Sequence, residues 1–256
     1  MMHFTEAELL TWLAAWFYPL CRIAALVGTA PIFSDSSMPV RIKIALAILV
    51  TIVVAPSLGP PPTTAILSFD GGLLIARQII IGAAMGIGMR FAFYAVQYAG
   101  DLAGTQMGLG FAQLFDPQNN QESAVVGTFL TYLAYLVFLS LNGHLMMIAA
   151  ITESFNSLPL VSPHGLGTDW QELVLHGSVI FSLGLYLALP VVAASLLANV
   201  VMGVMMRAAP QMNLFAIGFP ITLLIGLGTL LLALPMTLPM VERTLTESFA
   251  TLLHYG

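Results

Sequence analysis

Charged side chains fall in a few narrow belts along this chain, and the stretches between them are almost wholly apolar. Asp, Glu, Lys and Arg are absent from Ile44 to Phe69, from Ser123 to Thr152, from Leu173 to Met206 and from Ala208 to Val241. Each gap exceeds the ~20 residues that a helix needs to cross a bilayer. Two further apolar runs carry isolated cations: Arg22 within Leu9–Pro31, and Arg77 and Arg90 within Gly72–Gly100. The pattern predicts about six membrane-type helices, so the fold class is all-α. Between them lie "APIFSDSSMP", "PSLGPPPTTA", "FNSLPLVSPHGLGTD" and "RAAPQMN", whose Pro, Gly, Ser and Asn content marks connectors. No internal repeat or low-complexity tract is apparent.

Composition agrees with that pattern. The chain is 59% hydrophobic and 7% charged, far from the make-up of soluble domains. A net charge of -5 from seven basic and twelve acidic residues gives no basic footprint for nucleic acid. Cys21 stands alone in an apolar segment and reads as a small hydrophobe. Glu6 and Glu8 occupy the place where a secretory signal carries cations, so the first apolar run is expected to be a helix of the mature protein. If the helices alternate, Arg41 and Lys43, Arg90, and Arg207 share one side, which the excess of cations makes cytoplasmic.

Several of the runs are poor simple spans. Pro190, Pro220 and Pro235 are expected to kink or end their helices, and broken helices in lipid need covering neighbours. Gly82 and Gly86, and the series Gly100, Gly104 and Gly108, recur four apart. That spacing suits close helix packing, either within the chain or at a subunit interface.

Candidate chemistry is sparse. His3, His144, His164, His176 and His254 form no metal-binding pattern, and no nucleophile elbow or phosphate loop is present. No catalytic residue, cofactor site or metal site is therefore expected. Arg22, Arg77, Arg90 and Asp101 are the ionisable groups of the interrupted spans, and arginines near helix ends are expected to snorkel to the interface. A secondary transporter, with Pro-broken and Gly-rich helices, is one alternative class. A membrane enzyme is another, with Asn142, His144 and Glu153 as its only loose candidates.

Three stretches carry a resemblance: "RIKIALAILVTIVVAP", "QYAGDLAGTQMGLGFAQLFDPQNNQESAVVGTFLTYLAYLVFLSLNGH" and "RAAPQMNLFAIGFPITLLIGL". Through them the chain resembles the FliR family, the R-type subunit of the flagellar type III export gate, with relatives in virulence secretion systems. "DPQ" at Asp116–Gln118 and "APQMN" at Ala209–Asn213 fit the flagellar branch better. The resemblance implies a non-enzymatic channel subunit of the bacterial inner membrane and flagellar basal body, partly above the membrane plane. The implied partners are P-type and Q-type gate subunits, a B-type substrate-switch membrane protein, a surrounding basal-body ring and unfolded flagellar export substrates. It also implies a P-like portion over residues 1–160 and a Q-like helical hairpin over 161–256. The hairpin tip, at Arg207, Pro210, Gln211 and Asn213, would face the cytoplasm.

In that family a loop plugs the channel lumen, and residues 106–122 correspond to it here. The local residue types suit the role. Gly104, Gly108 and Gly110 free the backbone, while Met107, Leu109, Phe111, Leu114 and Phe115 supply apolar bulk for a dewetted seal against partner subunits. Gln106, Gln113, Gln118, Asn119, Asn120 and Gln121 add uncharged hydrogen-bonding groups. The residues by themselves fit equally well a solvent-exposed connector turning at Asp116-Pro117.

Overall fold

The structure is a computed structural model that describes residues 6–35, 38–59, 64, 66–111, 125–160, 170–208 and 214–255. The described residues form helices joined by turns, with no strand among them. Helix α1 spans Glu6–Thr29, α2 Val40–Val54 with one 3₁₀ turn after it at Ala55–Ser57, and α3 Phe69–Gln106. A second 3₁₀ turn, Leu109–Phe111, follows α3. Then come α4 (Val125–Ser140), α5 (Gly143–Ser157), α6 (Trp170–His176), α7 (Val179–Ala208) and α8 (Leu214–Tyr255). Among the described residues five helices are long and apolar enough to cross a membrane, and α4 with α5 makes a sixth if the pair is one span.

The expected fourth span is thus not one helix. It breaks at Leu141–Asn142, where Asn142 takes a left-handed conformation, φ 56°, that a short polar side chain tolerates. Its carbonyl then accepts from Leu145 N at 2.8 Å and Met146 N at 3.1 Å, starting α5. Conversely, Pro190, Pro220 and Pro235 do not end their helices: α7 runs through the first, and α8 through the other two and Pro239. The hydroxyl of Thr222 donates to Gly218 O at 3.1 Å, and that of Thr237 donates to Leu234 O at 3.1 Å. Such threonine bonds give backbone carbonyls near a proline additional partners, which apolar surroundings require.

The chain forms two compact units, each discontinuous in sequence. The first comprises residues 1–90, 142–177 and 246–256, and the second 91–141 and 178–245. In the first, α3 lies against α1 at bare glycine backbone. A Cβ on Gly82 would stand 3.0 Å from the Arg22 carbonyl carbon, and one on Gly86 would stand 2.9 Å from Ala30 N. In the second, Gly184 of α7 lies against α3, where a Cβ would stand 2.8 Å from Ala95 O. Phe93 and Phe138 meet edge-on there, with ring centroids 5.7 Å apart, a favoured aromatic geometry. Large apolar side chains on the outer faces, including Leu49, Val53, Phe181, Leu197, Leu232 and Met236, stay exposed on this chain.

Candidate functional site: the loop root and the buried arginine

Of the segment 106–122, the structure describes the root, residues 106–111. Helix α3 closes its last turn with Met107 N donating to Ala103 O at 2.9 Å, and Gly108 N donates to Thr105 O at 3.1 Å. Gly108 then turns the backbone into φ 86°, a conformation that side-chain-bearing residues resist. The side chain of Met107 is fully buried and packs with Ala103, Val126 and Val191, with Leu109 and Leu223 at the edge of the cluster.

Met107, expected to lend apolar bulk to a seal, is enclosed within its own unit. The reason lies on α8, where Gly226 has no side chain: a Cβ there would stand 3.0 Å from Met107 Cε and 3.1 Å from its sulfur. One turn earlier on α8, Thr222 brings its hydroxyl 3.4 Å from Met107 O. The segment re-enters the same unit at α4, where Val126 shares the cluster of Met107. Beside it Gly127 meets Gly100, and a Cβ on Gly100 would stand 2.6 Å from Gly127 N. Gly104 is roomier, with Val126 Cγ2 at 3.6 Å from its Cβ position. Met107 and Val126, which flank that segment in sequence, therefore share one core.

Gln106, Leu109 and Gly110 are half-buried around this root. Phe111 closes the 3₁₀ turn. Leu114, Phe115, Asp116 and Pro117 lie outside the described residues, as do Pro210, Gln211 and Asn213. Arg207 is exposed on the last turn of α7.

Arg22 also departs from expectation, since it does not snorkel. Its side chain is fully buried in the first unit and is the largest so enclosed among the described residues. Nε donates to Gln78 Oε1 at 2.7 Å, and one terminal nitrogen donates to Ser154 O at 2.7 Å and Ser154 Oγ at 3.1 Å. The other donates to Leu158 O at 2.8 Å, and the guanidinium carbon lies 4.1 Å from the Phe155 ring centroid. Ser154 and Leu158 sit at the end of α5; Ser154 O also accepts from Leu158 N at 3.0 Å, and Leu158 O lies beyond the last helical residue, where carbonyls lack intrahelical donors. The planar fork of arginine meets several acceptors at once, and the ring face lies against its cation. Nothing in the sequence pointed to Gln78 as the partner, because the two residues lie 56 positions apart.

The loose catalytic candidates do not form a constellation. His144 lines an apolar cavity of about 110 Å³ with Ile23, Leu26, Phe33, Leu46 and Met147. Glu153 is exposed and accepts from Asn156 Nδ2 at 3.2 Å. It follows His144 by about 14 Å of helix rise. Among the described residues no group of three or more His, Cys, Asp or Glu could hold a metal ion.

Helices of this length and apolarity, drawn together over bare glycine backbone, define a polytopic α-helical membrane protein. Residues 13–248 match the family model described as bacterial export proteins, family 1. The chain is 42% identical over 249 residues to the flagellar biosynthetic protein FliR of Pectobacterium carotovorum subsp. carotovorum, covering 97% of this chain and 95% of the relative. It is 40% identical over 249 residues to FliR of Escherichia coli K12, with the same coverage. FliR of Bacillus subtilis is 25% identical over 243 residues, covering 93% of each chain. The chain belongs to this family of bacterial export proteins, the FliR family.

Proposed function

We propose that the chain is a non-enzymatic core subunit of the flagellar type III export gate, which lines and plugs the channel for unfolded flagellar proteins. It works in the inner membrane at the flagellar basal body, together with P-type and Q-type gate subunits, a B-type substrate-switch protein and the surrounding ring. Residues 1–160 form the P-like portion. Residues 161–256 form the Q-like portion, with α7 and α8 as the arms of a hairpin whose tip at Arg207 faces the cytoplasm.

The observation that carries the plug is the loop root. Met107 and Val126, before and after the segment in sequence, share one packed core, so the helices on either side of the plug stay held together while cargo displaces it. The apolar Leu114 and Phe115 within it can exclude water, as hydrophobic constrictions do. A transporter reading is less well supported. Arg22 is the sole charged residue among the fully buried ones described, and its nitrogens are engaged by Gln78, Ser154 and Leu158 rather than facing a binding site.

The test replaces residues 112–122 by a Gly-Ser segment of equal length in the assembled gate and measures ion leak across membranes that carry it. Leak should rise with assembly unchanged, as judged by co-purification of the two small partner subunits. A sealed membrane with the assembly intact would overturn the plug.

A further inference from the structure

We infer that the apolar cavity walled by α1, α2 and α5 is a binding site for the end of a hydrocarbon chain, supplied by a bilayer lipid that lies against α2. The inference concerns the first unit alone and stands apart from the reading of residues 106–122 as a plug.

Backbone conformation points to the cavity first. The described non-glycine residues with positive φ are Ile32 and Asn142, and each stands beside a part of its wall. Phe33, which follows Ile32, lines the cavity. Asn142 starts α5, whose His144, Met147, Ile148 and Ile151 line it at helical spacing. Unfavourable backbone of this kind persists where the surrounding structure enforces it, and it gathers at ligand clamps.

The character of the wall sets the chemistry. It exposes no polar atom, so it offers water no partner. The volume, about 110 Å³, approaches the roughly 150 Å³ of an engineered apolar cavity that stays dry and binds benzene or xenon. Packed interiors have few voids larger than a water molecule, because unfilled space forfeits dispersion contacts. An apolar occupant restores them.

The surroundings name that occupant. Ile23, Leu26, Met147 and Ile151 are fully buried at the floor, whereas Phe33, Leu46, Val50 and Ile148 are half-buried, so the cavity opens toward the outer surface of its unit. Helix α2 is the least buried of the five spans, and its Leu49, next to Val50, and Val53 stay exposed. A helix of bilayer length with that face outward meets lipid tails. The end of a tail is narrow and brings no polar group that this wall would have to satisfy.

The experiment places the purified protein, with its partner subunits, in nanodiscs of phosphatidylethanolamine brominated near the end of one acyl chain, and locates bromine in the density map. Bromine should appear among α1, α2 and α5. Val50→Phe fills the space and should remove it, whereas Leu49→Phe, on the outward face of α2, should leave it. Leu46→Phe fills the cavity from one turn away on α2 and replaces Val50→Phe should that variant not assemble. Adding the same lipid to the purified chain in detergent should raise its melting temperature by about 2–4 °C, a shift of the size one stabilising contact gives in a chain of this length. The filled variant should lose that rise. Bromine absent from the cavity overturns the inference. So does a side chain of a neighbouring subunit seated there, or a lipid-induced rise that the filled variant keeps in full. None of these outcomes bears on ion leak through the 112–122 replacement, so the gate reading stands or falls separately.

Discussion

The guanidinium of Arg22 donates to the amide oxygen of Gln78 across 2.7 Å, joining α1 to α3, while its other nitrogens hold the Ser154 and Leu158 carbonyls. Replacing Gln78 by Leu leaves a buried, charged donor without its acceptor, which costs about 1–3 kcal/mol. Arg22→Ala should cost more, about 3–5 kcal/mol, because it opens a cavity and orphans all the acceptors together. Ser154→Ala removes only the 3.1 Å hydroxyl contact and should cost about 1 kcal/mol. Thermal unfolding of the purified protein in detergent gives the order. Equal losses from the three would show that the arginine is not shared as the geometry states.

The glycines separate into close approaches and open positions, and alanine substitution should tell them apart. At Gly82 the nearest atoms to a new methyl include the Arg22 carbonyl carbon at 3.0 Å, and at Gly184 they include Ala95 O at 2.8 Å. Backbone cannot give way cheaply, so each Gly→Ala should cost about 1–3 kcal/mol. Gly28, inside α1, has nothing within 4 Å of its Cβ position. Gly28→Ala should stabilise by about 0.5–1 kcal/mol through helix propensity. Opposite shifts in the detergent melting temperature check both halves of the statement.

The series Gly100, Gly104 and Gly108 invites a finer prediction. Gly100→Ala would push a methyl to 2.6 Å from Gly127 N and part α3 from α4 at the loop root. Gly104→Ala meets only side-chain carbons, at 3.6 and 3.7 Å, and should be tolerated. Gly108→Ala has to adopt φ 86° and should cost about 1 kcal/mol from that alone. Export of flagellar proteins by a complemented deletion strain should therefore fall most for Gly100→Ala and least for Gly104→Ala.

These three glycines also show how far the sequence could be read. Their even spacing announces a packed helix face, and α3 carries the first two, while Gly108 lies past its end in a left-handed turn. Spacing does not say which glycine touches backbone, because that depends on where Gly127 lies, a residue of a different helix. The apolar runs placed the long helices well, since in a low-dielectric setting backbone bonding leaves little alternative to helix. The break at Asn142 is not legible in the apolar run, because it needs no proline, only a residue that accepts positive φ. The burial of Arg22 is illegible for a similar reason. The acceptors that keep it inside are two side chains and two carbonyls brought from distant sequence. The side chain of Met107 lies over the bare backbone of Gly226, a neighbour that spacing within the loop does not disclose.

The turn after α1 supplies the last prediction. Ile32 has φ 67°, and Phe33 N donates to Pro31 O at 2.8 Å across it, a three-residue turn of the rarer hand. For a β-branched residue that conformation is unfavourable by about 1–2 kcal/mol. It persists where surrounding packing over-determines it, and Phe33 here lines the apolar cavity beside Leu26, Leu46 and Met147. Truncating Ile32 loses the same side-chain contacts whether the new residue is Ala or Gly, so comparing the two isolates the backbone. At ordinary negative φ, Gly is the less stable of the pair by about 0.5–1 kcal/mol. At Ile32 the order should invert, with Ile32→Gly melting above Ile32→Ala by the equivalent of about 1 kcal/mol. Finding the ordinary order would mean that the turn is not left-handed, and Phe33 would then need another reason to face the cavity.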